Sequence, residues 1–272
     1  MRRLLVFAAL LALVARAEAG ILAEAVPVKY NLTVRPGEPV ARDVVIKNLG
    51  DAPVVVRARF SDWTMSEQGD MEFAPFGSTP NSLSGDVSLE PAQFSLQPGE
   101  SGVIHLTMRL PEQGPATRWG LVLSEVRPVS WPANRLGPRA IAELGTTLYL
   151  SRIGESSTRA ELVGMDASAS GDTTVALAVR VRNPGERHLY SSGRIVMRDS
   201  TGAEVASGDL ATGVVLPATQ RIFTWTCPLR LPPGRYAVTA TLDTAEPELI
   251  VGETEVRWPL APPPVQPVAL HR

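Results

Sequence analysis

Residues able to do chemistry are sparse in this chain. Three histidines, His105, His188 and His271, fall at positions that read as a strand, a turn and the tail, and none has a second metal ligand within the next five residues. No Gly-x-Ser-x-Gly elbow, phosphate-cradling glycine loop or His-Glu-x-x-His helix occurs. Asp62 and Glu67, on either side of Trp63 and Thr64, allow a carboxylate pair, and a solvated loop accounts for them equally well. The single cysteine, Cys227, shares one face at period two with Phe223 and Trp225, so it reads as a buried inert thiol or as a free reactive one. One cysteine makes no intrachain disulfide, so packing must hold the fold together. These residues imply no metal, no cofactor and no catalysis: the expectation is not an enzyme but a non-catalytic protein.

The elements that would carry any site are strands. The chain has 272 residues, 44% of them apolar, with 22 glycines and 24 prolines, a composition of short elements broken by turns rather than of a helical bundle. A formal charge of −2, from 26 basic and 28 acidic groups, gives no cationic field for nucleic acid. Met1-Arg2-Arg3, an apolar run from Leu4 to Val14, and small-x-small sites ending at Ala17 and Ala19 read as a cleavable secretory signal peptide. That run has 11 residues, fewer than the ~20 a spanning helix requires, so no integral membrane segment is expected after cleavage. The protein is expected to be exported.

Alternation then marks the strands. Ile104, Leu106, Met108 and Leu110 share one face, and Val175, Leu177, Val179 and Val181 alternate with Ala176, Ala178, Arg180 and Arg182. Two landmarks recur: a Val-rich strand ending in Asn-x-Gly-acid (Asn48 to Asp51, Asn183 to Glu186), and a Leu-x-Pro or Leu-Pro turn before the next strand (Leu96 to Pro98, Leu216-Pro217). They lie 50 residues apart in the first copy (98 − 48) and 34 in the second (217 − 183), which places about 16 extra residues between Trp63 and Ser88. About seven strands per ~100 residues is the pattern of an immunoglobulin-like β-sandwich. The fold class expected is therefore all-β: two tandem immunoglobulin-like β-sandwiches after a signal peptide, with a Pro-rich C-terminal tail. The divisions are 1–19 signal peptide, 20–155 first domain, 156–258 second domain and 259–272 tail. The tail, with prolines at 259, 262, 263, 264 and 267, reads as disordered polyproline, or as a tether or docking peptide.

The order of these landmarks resembles the bacterial periplasmic pilus (fimbrial) chaperone-like superfamily. The resemblance is carried by Asn-x-Gly-acid after the second strand, by Phe94-Ser95-Leu96-Gln97-Pro98-Gly99-Glu100-Ser101, and by Gly145-Thr146-Thr147-Leu148-Tyr149-Leu150. It covers roughly Val28 to Trp258. It implies a periplasmic chaperone that assists folding or assembly of secreted, pilin-like subunits by β-strand addition. The strand of the first domain implied to meet a subunit is Thr146 to Arg152, with Leu144, Leu148 and Leu150 on one face and Tyr149 on the other; the same leucines also suit the domain's own core. Two cleft basics are implied, with Lys29 or Arg35 as loose matches for one and Arg152 for the other. Arg118-Trp119-Gly120-Leu121-Val122-Leu123 departs from the family's next-to-last strand. The alternative is a cell-envelope scaffold or adhesin-like protein that contacts wall polymer or surface proteins.

Overall fold

The computed structural model describes residues 21–130, 141–154, 159–170, 174–228, 231–244 and 248–259. The signal peptide, and the tail beyond Pro259, lie outside these residues, as do positions 155–158 of the expected domain join. The described residues form seventeen strands and no helix.

The first ten strands are β1 (Ala23–Val26), β2 (Lys29–Val34), β3 (Pro39–Asn48), β4 (Val54–Met65), β5 (Met71–Ala74), β6 (Val87–Glu90), β7 (Gln93–Leu96), β8 (Ser101–Arg109), β9 (Thr117–Pro128) and β10 (Ala142–Arg152). One sheet runs β1-β3-β8-β6, and the sheet facing it runs β2-β10-β9-β4, with β5 and β7 each pairing a different part of β4. The period-two rows predicted from sequence point between the sheets: Ile104, Leu106 and Met108 of β8 and Leu148 and Leu150 of β10 are fully buried. Each such side chain contributes roughly 1.5–3 kcal/mol through burial.

The second sandwich contains β11 (Glu161–Ser170), β12 (Thr174–Arg182), β13 (Leu189–Arg198), β14 (Glu204–Val215), β15 (Gln220–Pro228), β16 (Gly234–Asp243) and β17 (Ile250–Trp258). Sheet β11-β12-β15 covers sheet β14-β13-β16-β17. Val175, Leu177, Val179 and Val181 of β12 meet Ile195, Met197, Val238, Ala240 and Leu242 in its core. The hairpin tip at Asp199 to Gly202 closes through Asp199 Oδ1, which accepts the N–H groups of Thr201 and Ala203, while Gly202 takes φ 86°. β1, β11 and β14 carry no clear alternation in sequence. They are edge strands, and small or polar residues such as Gly164, Asp166, Ser207 and Gly208 satisfy a face that is only half covered.

The two recurring landmarks are joined by the same bonds in each copy. Asn48 Nδ2 donates to the carbonyls of Ala52 (2.9 Å) and Leu96 (3.3 Å), and its Oδ1 accepts the Gly50 N–H (3.0 Å). Asn183 Nδ2 donates to Arg187 (2.7 Å) and Val215 (3.0 Å), and its Oδ1 accepts the Gly185 N–H (2.9 Å). Both asparagines are fully buried. A buried amide must be satisfied on both its oxygen and its nitrogen, and here the asparagine's own turn and the last residue of β7 or β14 supply the partners. The extra length of the first copy is the β4–β5 hairpin and the loop that follows it.

Candidate partner-binding edge and domain junction

β10 sits between two neighbours for only half its length. β9 pairs with it from Ala142 to Ser151, whereas β2 runs parallel to it from Thr147 to Arg152 only. Within the expected partner strand, Thr146 to Arg152, both edges of Thr147–Arg152 are paired inside the domain, and the edge of β10 away from β9 is unpaired from Ala142 to Thr146. Leu148 and Leu150 fill the domain's own core, and Leu144, on the same face, packs against that core only partly buried. Thr146 is buried, and its hydroxyl donates to the Pro27 carbonyl at 2.9 Å, just before β2 begins.

Hydrogen-bond direction follows from parity. The N–H groups of Thr147 and Ile153 donate to Val28 and Val34 on the β2 side, and that of Arg152 donates to Ala116 on the β9 side. Odd-numbered residues thus aim their backbone polar groups away from β9, so Glu143 and Gly145 present theirs to the open edge. Apolar surface borders this edge: Val26, Val28 and Ile141 are 49%, 70% and 54% exposed.

The implied pair of cleft basics is one of Lys29 and Arg35 together with Arg152: β2 runs parallel to β10 with Lys29 opposite Thr147 and Val34 opposite Arg152, so Arg35 directly follows the residue paired with Arg152 and Lys29 lies five residues back along the ladder. Lys29 Nζ lies 4.2 Å from the ring centroid of Tyr190. Arg35 is an exposed turn residue 3.7 Å from Glu38. Arg152 donates to the Glu112 carbonyl at 2.9 Å. The carboxylate pair fails to form. Asp62 is fully buried, accepting from Ser82 Oγ (2.7 Å), Thr79 Oγ1 (3.1 Å) and the N–H groups of Gly77 (3.1 Å) and Thr79 (3.0 Å). It pins the inserted loop, while the Glu67 carbonyl at the hairpin tip accepts from Ile222 N–H at 2.6 Å.

That last bond belongs to a junction between the two sandwiches. Trp63, Trp119, Leu121, Leu123 and Tyr149 of the first sandwich form one buried cluster with Val214 and Leu216 of the second. Trp119 Nε1 donates to the Trp63 carbonyl at 3.0 Å, and Tyr149 stacks on His188 with centroids 4.2 Å apart. Arg221 donates to the Val214 carbonyl (2.8 Å) and reaches Met65 Sδ at 3.4 Å, and Arg187 donates to Thr33 Oγ1 at 3.1 Å. Burial, with the Arg187 and Lys29 cations adding to it, lowers the His188 pKa to about 4 and keeps the ring neutral. Burial, with Tyr190 beside it, pushes the Tyr149 phenol far above its usual range. One signal did mark this junction: β9 is apolar on both faces from Trp119 to Leu123, the mark of a strand covered on both sides.

No family model matches the chain, and no curated protein matches it. Solved structures similar to it include a chaperone–tip adhesin complex of CFA/I fimbriae biogenesis (11% identity, TM-score 0.45, covering 85% of this chain and 98% of that one). The YadV chaperone (13%, TM-score 0.44, 86% and 99%) and the Pseudomonas aeruginosa CupB2 chaperone (13%, TM-score 0.42, 81% and 95%) are also similar. The likeness is one of general fold, and the two-sandwich assignment rests on the strand pairing itself.

Proposed function

We propose that this protein is an exported, non-catalytic chaperone-like protein that receives an extended segment of a secreted subunit along the open half of β10. One observation carries the reading: β2 stops covering β10 at Thr147, so Ala142 to Thr146 keep an unpaired edge beside half-buried Ala142 and Leu144. An edge of this kind supplies backbone bonds to a guest strand, and the alternate inward positions supply selectivity for its apolar side chains. β10 itself is fixed along its other half by β9, by β2 and, through Tyr149, by the second sandwich. A pre-ordered acceptor loses little conformational entropy on binding. The fimbrial chaperones similar in fold are consistent with this reading, and a periplasmic location is part of the same proposal.

The test is native isolation of the exported protein followed by intact-complex mass spectrometry. One-to-one complexes with a small secreted subunit, in the soluble exported fraction, are expected. Free protein that fractionates with the envelope would overturn the proposal in favour of a scaffold.

A further inference from the structure

The two sandwiches close their flanks differently. In the first, β1 pairs with β3 in one sheet, and after Val26 and Pro27 the chain enters the opposite sheet as β2, lying on β10. In the second, β11 stays on β12 from Glu161 to Ser170 and never switches. Among the described residues β17 therefore pairs with β16 alone, leaving the outer edge of nine residues uncovered. An open cleft of about 220 Å³ separates β11 from β17, lined by Leu162, Val163, Gly164, Met165, Gly252 and Thr254. A Cβ at Gly252 would run into the end of the Leu162 side chain, which would have to move aside. Leu249 and Val251 are 59% and 58% exposed, with Val251 on the outward row of β17. Glu253, Glu255 and Arg257 form the exposed row of the strand. Glu255 lies 3.4 Å from Arg257 and 3.8 Å from Arg235, and no ion pair to Glu253 is present among the described residues.

We infer that the outer edge of β17 is a second strand-acceptor site, taking an extended segment of another protein with apolar side chains at alternate positions and a Lys or Arg beside Glu253. The molecule holds its own template for such a guest. β2 covers the corresponding edge of the first sandwich with Tyr30, Leu32 and Val34 turned inward against the core and Lys29, Asn31 and Thr33 on the other face. Two β17 strands paired antiparallel and centred on Thr254 would set Glu253 of each against Glu255 of the other, whereas centring on Glu255 would set Glu253 against Arg257, so a second copy is decided by the dilution arm of the test. The chain's own continuation is a poor cover, because prolines at 262, 263, 264 and 267 lack the donors that a ladder requires. This site is independent of the β10 edge.

The experiment is hydrogen exchange on the full exported chain, with and without a synthetic peptide of the β2 sequence, Lys29 to Val34. In the free protein, alternate amides of β17 should exchange fast, and the peptide should slow them tenfold or more. A lysine pointing into the cleft blocks an edge, so Thr254→Lys should abolish the β17 protection and leave β10 exchange unchanged. Val163→Asp, on the β11 wall, gives a second variant should Thr254→Lys melt early. Millimolar peptide that leaves β17 unprotected overturns the inference. Protection confined to β10 also overturns it, while supporting the β10 reading. β17 amides already slow in the free chain would overturn it as well, whether they become fast on truncation after Pro259, which identifies the tail as the cover, or on dilution, which identifies a second copy.

Discussion

Proline at Glu143 and proline at Leu144 should have opposite consequences, although the residues are adjacent. Glu143 directs its N–H to the open edge, so Glu143→Pro removes a donor that no strand of the first sandwich uses, near the start of β10 where proline is tolerated. Its other loss is an exposed ion pair with Arg59 at 3.3 Å, worth ~1 kcal/mol at most. Stability should fall by about 1 kcal/mol. Leu144 directs its N–H to β9, opposite Ser124, so Leu144→Pro breaks a ladder bond and removes a half-buried leucine, at about 3 kcal/mol or more. For a guest strand the order reverses. Glu143→Pro deletes one backbone bond of ~1 kcal/mol and sets a ring in the guest's path, about 2 kcal/mol together, which is a ~30-fold weaker complex. The assay pairs urea unfolding with quantified recovery of the one-to-one complex. A Glu143→Pro variant that is as stable as expected and holds its subunit as tightly as wild type refutes strand addition at this edge.

The remaining predictions concern the frame that presents that edge. Asn48→Ala and Asn183→Ala should each cost about 3 kcal/mol in urea unfolding, because each leaves two carbonyls and one N–H without partners; a loss below ~1 kcal/mol at either site would show that the turns hold without their amides. Asp62→Ala should cost roughly 3 kcal/mol and make the loop between Pro75 and Asp86 the first site of limited proteolysis, since four donors lose their acceptor. His188, neutral in the fold with a pKa near 4 against about 6.5 when unfolded, binds fewer protons folded than unfolded between those values. Its contribution is complete above pH 6.5 and is lost as the pH falls toward 4, by roughly 3 kcal/mol; the stability difference between wild type and His188→Phe should change by that amount across the window, and parallel pH profiles would contradict it.

Where burial is one-sided, the alternation of residue types maps directly onto the strands. β8 and β12 could be placed from sequence because every second residue enters a core and the rest meet water. β11 and β14 could not, because their residues do not alternate between buried and exposed and so leave no period-two row of apolar side chains. β10, the strand on which the proposed site lies, could be placed from sequence, but which half of it is unpaired could not. Which half of β10 stays open depends on the parallel pairing of Thr147 with Lys29, more than a hundred residues away, and no local pattern encodes such a register. The paired landmarks fared better, because Asn48 and Asn183 each tie the two recurring segments of their own sandwich together by equivalent bonds.

The junction explains why the first copy departs from plain alternation. On β9 the outward residues Trp119, Leu121 and Leu123 are as apolar as the inward ones, whereas the outward residues of the equivalent β16, Arg235, Ala237, Thr239 and Thr241, are mostly polar. The first sandwich therefore spends both faces of one sheet, one on its core and one on the second sandwich. Tyr149 lies on that outer face, between Leu148 and Leu150 on the inner one, so β10 is gripped on both sides of its sheet at the point where β2 also occupies its edge. β2 and β9 pair with the two edges of this stretch and the second sandwich reaches it through Tyr149; the cover by β2 ends at Thr147, while β9 continues to Ala142. In this proposal the interface between the sandwiches does more than join them: by fixing the far half of β10, it holds Ala142 to Thr146 extended and ready for a strand that the chain itself does not supply.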